Sequence, residues 1–401
     1  MKTIFLAAGK SSRMAPLSDK NFLEFCGEPL IIKLLKNAQK GGLENFIVVA
    51  SNEKKELITS TLQRFNFIAD IVVQEKQEEG MAGGVLAGLG ACSSDEEIVL
   101  LGGNDAINSS VYKDLLGSGR KADGALLAKS VEQYFPGGYL QVDGKKITSI
   151  IEKPGEGKEP SRLVNIVAHY FKKGDDLKKQ LESFDLTKSG DAYEQALQAL
   201  FQTQEFHAVE YKGEWHAIKF PHHILEMQEY YLSQLPKENS IHDSVQISDT
   251  ARIHGEQVFI EEGVRIFDNA VICGPCFIGR NSVIGNNALV RASNIGQKNE
   301  IGFCSELARS FTAQNVSAHH AYLGDSIIDN NVNFGAFSCT ANLRLDKKNI
   351  KYSIKEERIN SGRNKLGAII GAETQIGIHA MLMPGCKVDA NSFVAPGTVQ
   401  K

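Results

Sequence analysis

The sequence has no surplus of charge, no paired cysteine framework and no apolar stretch of the length that signals export. Lys and Arg number 44 against 48 Asp and Glu, a formal net charge of -4. Basic residues are spread along both halves, so no field gathers a phosphate backbone, which argues against a nucleic-acid partner. Cysteines number seven, an odd count scattered from Cys26 to Cys386, which suits free thiols in a reducing compartment. Cys273 and Cys276 form one CxxC, but a four-ligand zinc site needs a second pair that the sequence does not offer, and the pair is read as packing. The opening MKTIFLAAGK meets a Gly-rich segment too soon for the apolar core of a signal peptide. It reads as a first β-strand, and the protein is expected in the cytoplasm without a membrane partner. What is present is an ordinary soluble composition, 42% hydrophobic and 23% charged, at a length that favours two domains.

Two patterns divide the chain. Over residues 1–232, strand-like runs such as TIFLAAG, FIVVAS, DIVV and EIVLLGG alternate with helical ones such as PLIIKLLKNAQKGG and KELITSTLQRF. That alternation predicts an α/β doubly wound, Rossmann-like domain whose site lies beyond the carboxyl ends of the strands. The polar, Pro-containing residues 233–240 read as a linker. From 241 to 401 the period is six: Ile241, Ile247 and Ile253, then Ile260 through Val290, then Val316, Tyr322, Ile328 and Phe334, and finally Ile370 through Val394. A hexapeptide period with Gly and Asn at the corners specifies a left-handed parallel β-helix.

The loop LAAGKSSRM after the first strand supplies small residues, backbone N–H groups and the cations Lys10 and Arg13, as a triphosphate requires. It is joined by Lys20, the CGEPLI peptide, Gly80 in EEGMAGG, Asp105 in LLGGND, Gly138, and Glu152 with Lys153 in SIIEKPG. This ordered set resembles the nucleoside-diphosphate-sugar pyrophosphorylase family. The resemblance implies that Leu6, Ala7, Ala8, Gly9, Lys10 and Gly80 hold a nucleoside triphosphate, UTP or dTTP, and that Arg13 and Lys20 act on its phosphates. It further implies that Asp105 binds Mg²⁺ and that Gly138, Glu152, Lys153 and Asn165 contact the sugar phosphate. One departure stands out: relatives with two metal ligands carry the second one two residues after the Trp, where this chain has Ala217.

The segments VSAHHAYLGDSIIDNNVNFGAFSCTANLRLD and INSGRNKLGAIIGAETQIGIHAMLMPG closely resemble the acetyltransferase half of bifunctional glucosamine-1-phosphate acetyltransferase/N-acetylglucosamine-1-phosphate uridyltransferase enzymes, especially the archaeal-type ones. That resemblance implies a general base at His319, in a break between coils, with Tyr322 and Asn342 positioning the substrate and acetyl-CoA as the acyl donor. Acyl transfer to an amine needs such a base near neutral pH, and histidine fills that role without large tuning. His320 is the competitor for the role. Arg291 and a lysine at 347 or 348 are candidates for the sugar phosphate. Phe337 replaces a Gly of the family pattern, and Ala308, beside Arg309, replaces an expected Lys.

The leading expectation is therefore a bifunctional enzyme with Mg²⁺ and acetyl-CoA as cofactor and co-substrate, assembled as a homotrimer. A nucleotidylyltransferase with a structural or regulatory β-helix, and a non-catalytic sugar-nucleotide-binding protein, are the alternatives left open by the sequence.

Overall fold

The computed structural model describes residues 1–188, 190–354 and 357–401. The chain packs as two compact units, Met1–Lys10 with Ile31–Trp215, and Ser11–Leu30 with His216–Lys401. In the first unit a nine-stranded sheet runs in the order Asp70–Gln74, Phe46–Ser51, Lys2–Leu6, Ile98–Gly102, Leu163–Phe171, Gly124–Ser130, Phe206–Glu210, Lys146–Glu152, Gly138–Asp143. The first four strands are parallel. The fifth, Leu163–Phe171, is antiparallel to both neighbours, so the sheet is mixed rather than wholly parallel. Strand FIVVAS is buried at every position, as expected of a strand covered on both faces. Helix Ala192–Thr203 turns Tyr193, Ala196, Leu197, Leu200 and Phe201 into the core, the spacing that puts one helix face against a sheet.

Leu6 pairs with Gly102 at the carboxyl ends of two adjacent parallel strands. The loops that follow, with Ala7–Gly9 on one side and Asp105 on the other, therefore leave the sheet side by side at the position expected for a ligand.

The second unit contains a left-handed β-helix of three eight-stranded parallel sheets. Its interior is a column of aliphatic side chains, including Ile260, Ile278, Ile295, Ile328, Ile370 and Val388 along one sheet. Each such residue contributes about 1.5–3 kcal/mol by burial. At several corners glycine follows the inward residue because the coils there stack too closely for a side chain: a Cβ on Gly279 would lie 2.6 Å from the Gly296 carbonyl carbon, and one on Gly285 2.8 Å from that of Gly302. The next corner position is left-handed, and Asn269, Asn281, Asn287, Asn331 and Asn391 occupy it at φ of 56–59°, where Asn is tolerated.

The six-residue reading fails over one stretch. Ile260 pairs with Ile278, but Ile278 pairs with Ile295, Ile295 with Thr312, and Thr312 with Ile328, so the coil shortens by a residue at a time. The inward residues there are Thr312, Ala318 and Leu323, while Tyr322 faces outward and is half-buried. The coil remains closed through Ser317–Ala318 and Tyr322–Gly324, which corrects the expected break at His319: the residue stands at an ordinary corner. The true excursion comes later, between Thr340 and Ala368. It holds the hairpin Lys351–Ile354 with Glu357–Asn360, anchored to helix His223–Ser233 by His222 Nδ1 and Tyr352 Oη at 2.7 Å and by Arg363 with Glu229 at 2.8 Å. Ser11–Leu30 also packs on this unit: the Ser18 N–H donates to Asp329 at 2.6 Å and the Cys26 N–H to Asn294 at 2.7 Å. All seven cysteines are free thiols. Among the described residues no helix is long and apolar enough to cross a membrane.

Candidate functional site

In the first unit, Ala7 and Ala8 are buried, whereas a Cβ on Gly9 would meet nothing within 4 Å. The Ala7 N–H donates to the Val49 carbonyl at 2.9 Å, and Lys54 donates to the Gly9 carbonyl. Gly80 opens helix Gly80–Leu89 at φ 58°, and its carbonyl accepts from the buried Gln74 amide at 2.8 Å. Asp105 follows strand Ile98–Gly102, and its Oδ1 accepts from the Trp215 indole N–H at 2.8 Å. Gly138 and Glu152 face each other across two antiparallel strands. A Cβ on Gly138 would press to 3.2 Å from Glu152 Oε2, so glycine leaves that carboxylate its place. Lys153, at φ 44°, pairs with Glu152 at 2.8 Å. Asn165 lies on the neighbouring antiparallel strand, with its Oδ1 2.8 Å from His169 Nε2.

Sequence reading missed Glu194. It stands in the first turn of helix Ala192–Thr203, and burial, with Glu152 adding repulsion, pushes its carboxyl up to about 7. The folded chain thus holds a proton that the unfolded chain releases near its ordinary value of 4.5. This stabilisation is complete below the unfolded value and is lost as pH rises through about 7. We expect Glu194→Gln to abolish that loss, making the first unit more stable than wild type at pH 8 by about 2–3 kcal/mol. The single Trp, Trp215, reports this unit by fluorescence; equal pH dependence of the two melting curves would contradict it.

Arg13 and Lys20 lie in the second unit. The Arg13 guanidinium sits 5.8 Å from the centre of the Phe220 ring, and Lys20 Nζ is 3.5 Å from the Ile218 carbonyl.

On the β-helix, Tyr322 pairs with Cys339 of the next coil, and Asn342, just past that strand, brings its Nδ2 to 3.2 Å from Tyr322 Oη and 2.5 Å from Asp325 Oδ2. Asp325 is 1% exposed and accepts both arms of Arg309 at 2.7 and 2.6 Å. Arg309 continues into an open cavity of about 750 Å³ lined also by Lys347, Asn349, Arg363, Asn364 and Lys365. Four cations and one carboxylate line it, Arg363 also pairs with Glu229, and the buried Arg363 Nε has no partner among the described residues. Arg291 lies apart from this cavity and is held by Glu306 at 2.5 Å. His319 is exposed at its corner; a Cβ on Gly302 would come within 3.3 Å of its Nδ1. His320 is instead one ring of an exposed column, 5.9 Å from Phe303 and 4.5 Å from Phe337, which stacks on His379 at 5.1 Å.

Comparison with known proteins decides the family. Residues 3–158 match the MobA-like NTP transferase domain, and residues 257–292 match the bacterial transferase hexapeptide repeats. A bifunctional sugar-1-phosphate nucleotidylyltransferase/acetyltransferase of Sulfurisphaera tokodaii is 30% identical over 406 residues, 100% of this chain and 97% of that one. The chain belongs to this family of enzymes. Bifunctional protein GlmU of Methanococcus maripaludis and that of Methanocaldococcus jannaschii are each 30% identical, with 98% of this chain and 93% of theirs covered. The similarity thus spans both units.

Within this family member, the residues that sequence reading missed fall into two groups. Trp215, His169, Tyr193 and Glu194 support the polar side chains of the first unit, and Asp325, Arg363 and Lys365 build the cationic cavity of the second. Charge alone gave no signal for the latter, because Arg363 and Lys365 are brought to Arg309 only by the excursion after Thr340.

Proposed function

We propose that the first unit transfers a nucleotidyl group from UTP or dTTP to a sugar-1-phosphate, and that the β-helix transfers acetyl from acetyl-CoA to an amino-sugar-1-phosphate. The observation that carries this reading is that similarity to bifunctional relatives covers the whole chain, with a separate polar site in each unit.

In the first reaction a phosphate oxygen of the sugar phosphate attacks the α-phosphorus, a P–O bond forms, the bond to the β-phosphate breaks and pyrophosphate leaves. The attacking monoester is already an anionic nucleophile, so the protein's work is alignment and charge stabilisation. In this reading Leu6–Lys10 and Gly80 hold the triphosphate, with Lys10 and the backbone N–H groups of the loop meeting its charge. Gly138, Glu152, Lys153 and Asn165 receive the sugar phosphate. Asp105 offers a hard carboxylate oxygen and Ala217 offers none, a donor set that fits Mg²⁺ completed by phosphate oxygens and water. When bound there, the ion supplies charge stabilisation to the phosphates.

In the second reaction His319 removes a proton from the substrate ammonium; the amine attacks the thioester carbonyl, the C–S bond breaks and coenzyme A leaves as its thiol after taking up a proton. Tyr322 and Asn342 orient the sugar. The cavity of Arg309, Lys347, Arg363 and Lys365 receives its phosphate: Asp325 meets Arg309 and Glu229 meets Arg363, and Lys347 and Lys365 leave the excess positive charge that a dianion matches. Both proposed co-substrates are cytoplasmic metabolites, which supports a cytoplasmic enzyme. The exposed Phe303, Phe337, Ile378 and Phe393 support a homotrimer through the β-helix.

Pyrophosphate release with a panel of nucleoside triphosphates and sugar phosphates, and coenzyme A release with glucosamine-1-phosphate, test the two halves separately. Absence of either product across the panel removes that half. Lys365→Ala is expected to raise KM for glucosamine-1-phosphate about tenfold in the coenzyme A assay while leaving kcat nearly unchanged; an unaltered KM would place the phosphate elsewhere.

A further inference from the structure

Asn165 and His169 are four residues apart on one strand, a separation of about 13 Å in regular extended chain. They are nevertheless in hydrogen-bond contact, with Asn165 Oδ1 and His169 Nε2 2.8 Å apart. The cause is local: Ile166 pairs with Leu127 but His169 with Leu126, so Val167 and Ala168 bulge out of the ladder and draw the two side chains together. On its other side His169 Nδ1 lies 2.6 Å from the hydroxyl of Tyr193, whose ring stacks on the imidazole at 5.8 Å and 9°. Both His169 and Tyr193 are buried.

We propose that Tyr193 and His169 form a hydrogen-bond relay that locks the Asn165 amide with its nitrogen outward, so that the sugar site selects a hydrogen-bond acceptor oxygen, hydroxyl or acyl carbonyl, on its substrate. The proposal rests on the reading of Asn165 as a sugar contact. Its physical basis is a proton count. Burial holds the imidazole neutral, pushed down to about 3, with the Ile166 carbonyl working weakly the other way, so the ring carries one proton. If that proton is on Nε2, the Tyr193 O–H donates to Nδ1 and Nε2–H donates to Asn165 Oδ1. Every polar group is then satisfied. If it is on Nδ1, the Tyr193 oxygen becomes an acceptor and its own buried proton has no other partner among the described residues. An unsatisfied buried donor is costly enough to make that state a minor one. The Nε2-protonated ring fixes the amide oxygen inward, and the amide nitrogen has no protein partner among the described residues. Asn165 is half-buried, so that nitrogen is left for a ligand. A fixed N–H donor donates to a hydroxyl or an acyl oxygen and opposes an ammonium group, which has no acceptor.

Tyr193→Phe removes the hydroxyl and keeps the ring stack. Both tautomers then leave one ring nitrogen unsatisfied, and the amide populates both orientations. The test compares glucose-1-phosphate with analogues bearing an ammonium group in place of each ring hydroxyl, read by pyrophosphate release. At one ring position the wild type is expected to prefer hydroxyl strongly. In Tyr193→Phe the KM for that ammonium sugar falls about tenfold, while KM for the hydroxyl sugar and for the nucleotide stay within about twofold. A gain of binding of this kind cannot come from misfolding. Nitrogen shifts of His169 give a second reading: Nε2-protonated in wild type, mixed in the variant. Unchanged discrimination in Tyr193→Phe, or a wild-type ring protonated on Nδ1, overturns the relay alone. No pyrophosphate release by wild type with any sugar phosphate overturns the nucleotidyl-transfer reading, and the proposal with it.

Discussion

Asp105→Asn is expected to lower nucleotidyl transfer by about 10²-fold or more and to leave coenzyme A release at the wild-type rate. The substitution is close to isosteric. The Asn carbonyl oxygen can still accept the Trp215 N–H that now reaches Asp105 Oδ1, so the loop keeps its anchor and the unit its stability. What disappears is the negative charge. With Ala217 where relatives with two metal ligands carry the second, Asp105 is the carboxylate on which the metal reading depends, and a neutral amide is a poor ligand for Mg²⁺. The acyl transfer proposed for the β-helix needs no metal, so it serves as an internal control for folding. Trp215 fluorescence checks the unit directly, because the variant should melt within a few degrees of wild type. Equal loss of both activities would point to unfolding. Retention of nucleotidyl transfer with unaltered Mg²⁺ dependence would remove Asp105 from the metal site.

The fold was legible where physics imposes a period. Alternating strand and helix runs give the sheet, and Ile, Gly and Asn at six-residue spacing give the β-helix. The period became illegible where the coil shortened, because the step to the inward residues Ile295, Thr312 and Leu323 is five rather than six and two inward positions hold Thr312 and Thr340, which no apolar count selects. Thr312 is tolerated inside because its hydroxyl accepts from Asn299 Nδ2 at 2.8 Å. The placement of Tyr322 followed from the same slip: it stands one residue from the inward Leu323 and therefore faces outward, where it can meet Asn342. In the first unit, glycines and charged residues near strand ends could be found from the sequence. Their supports could not, since His169 reaches Asn165 through a bulge and Glu194 reaches the Glu152 region from a helix about forty residues away in the chain. The direction of strand Leu163–Phe171 was likewise hidden, because the apolar pattern along a strand reads the same in either direction.

His319→Ala is expected to lower acetyl transfer by about 10²- to 10⁴-fold, the usual scale for removing a positioned base, with nucleotidyl transfer unchanged. The structure separates His319 from its neighbour. His320 sits at φ 49° between the rings of Phe303 and Phe337, a contact that stabilises by about 0.5–1.5 kcal/mol per aromatic pair, and its ring is taken up by packing. The His319 side chain is exposed and makes no hydrogen bond among the described residues. Its Nδ1 lies over Gly302 of the coil below, so the glycine leaves room for the ring. His320→Ala should therefore lower thermal stability modestly and keep acetyl transfer within a few fold of wild type. A loss of activity in His320→Ala with none in His319→Ala would exchange the two roles. If neither substitution matters while Tyr322→Phe and Asn342→Ala abolish transfer, the base lies outside this corner, and the β-helix reaction would need a proton acceptor from a second copy of the chain.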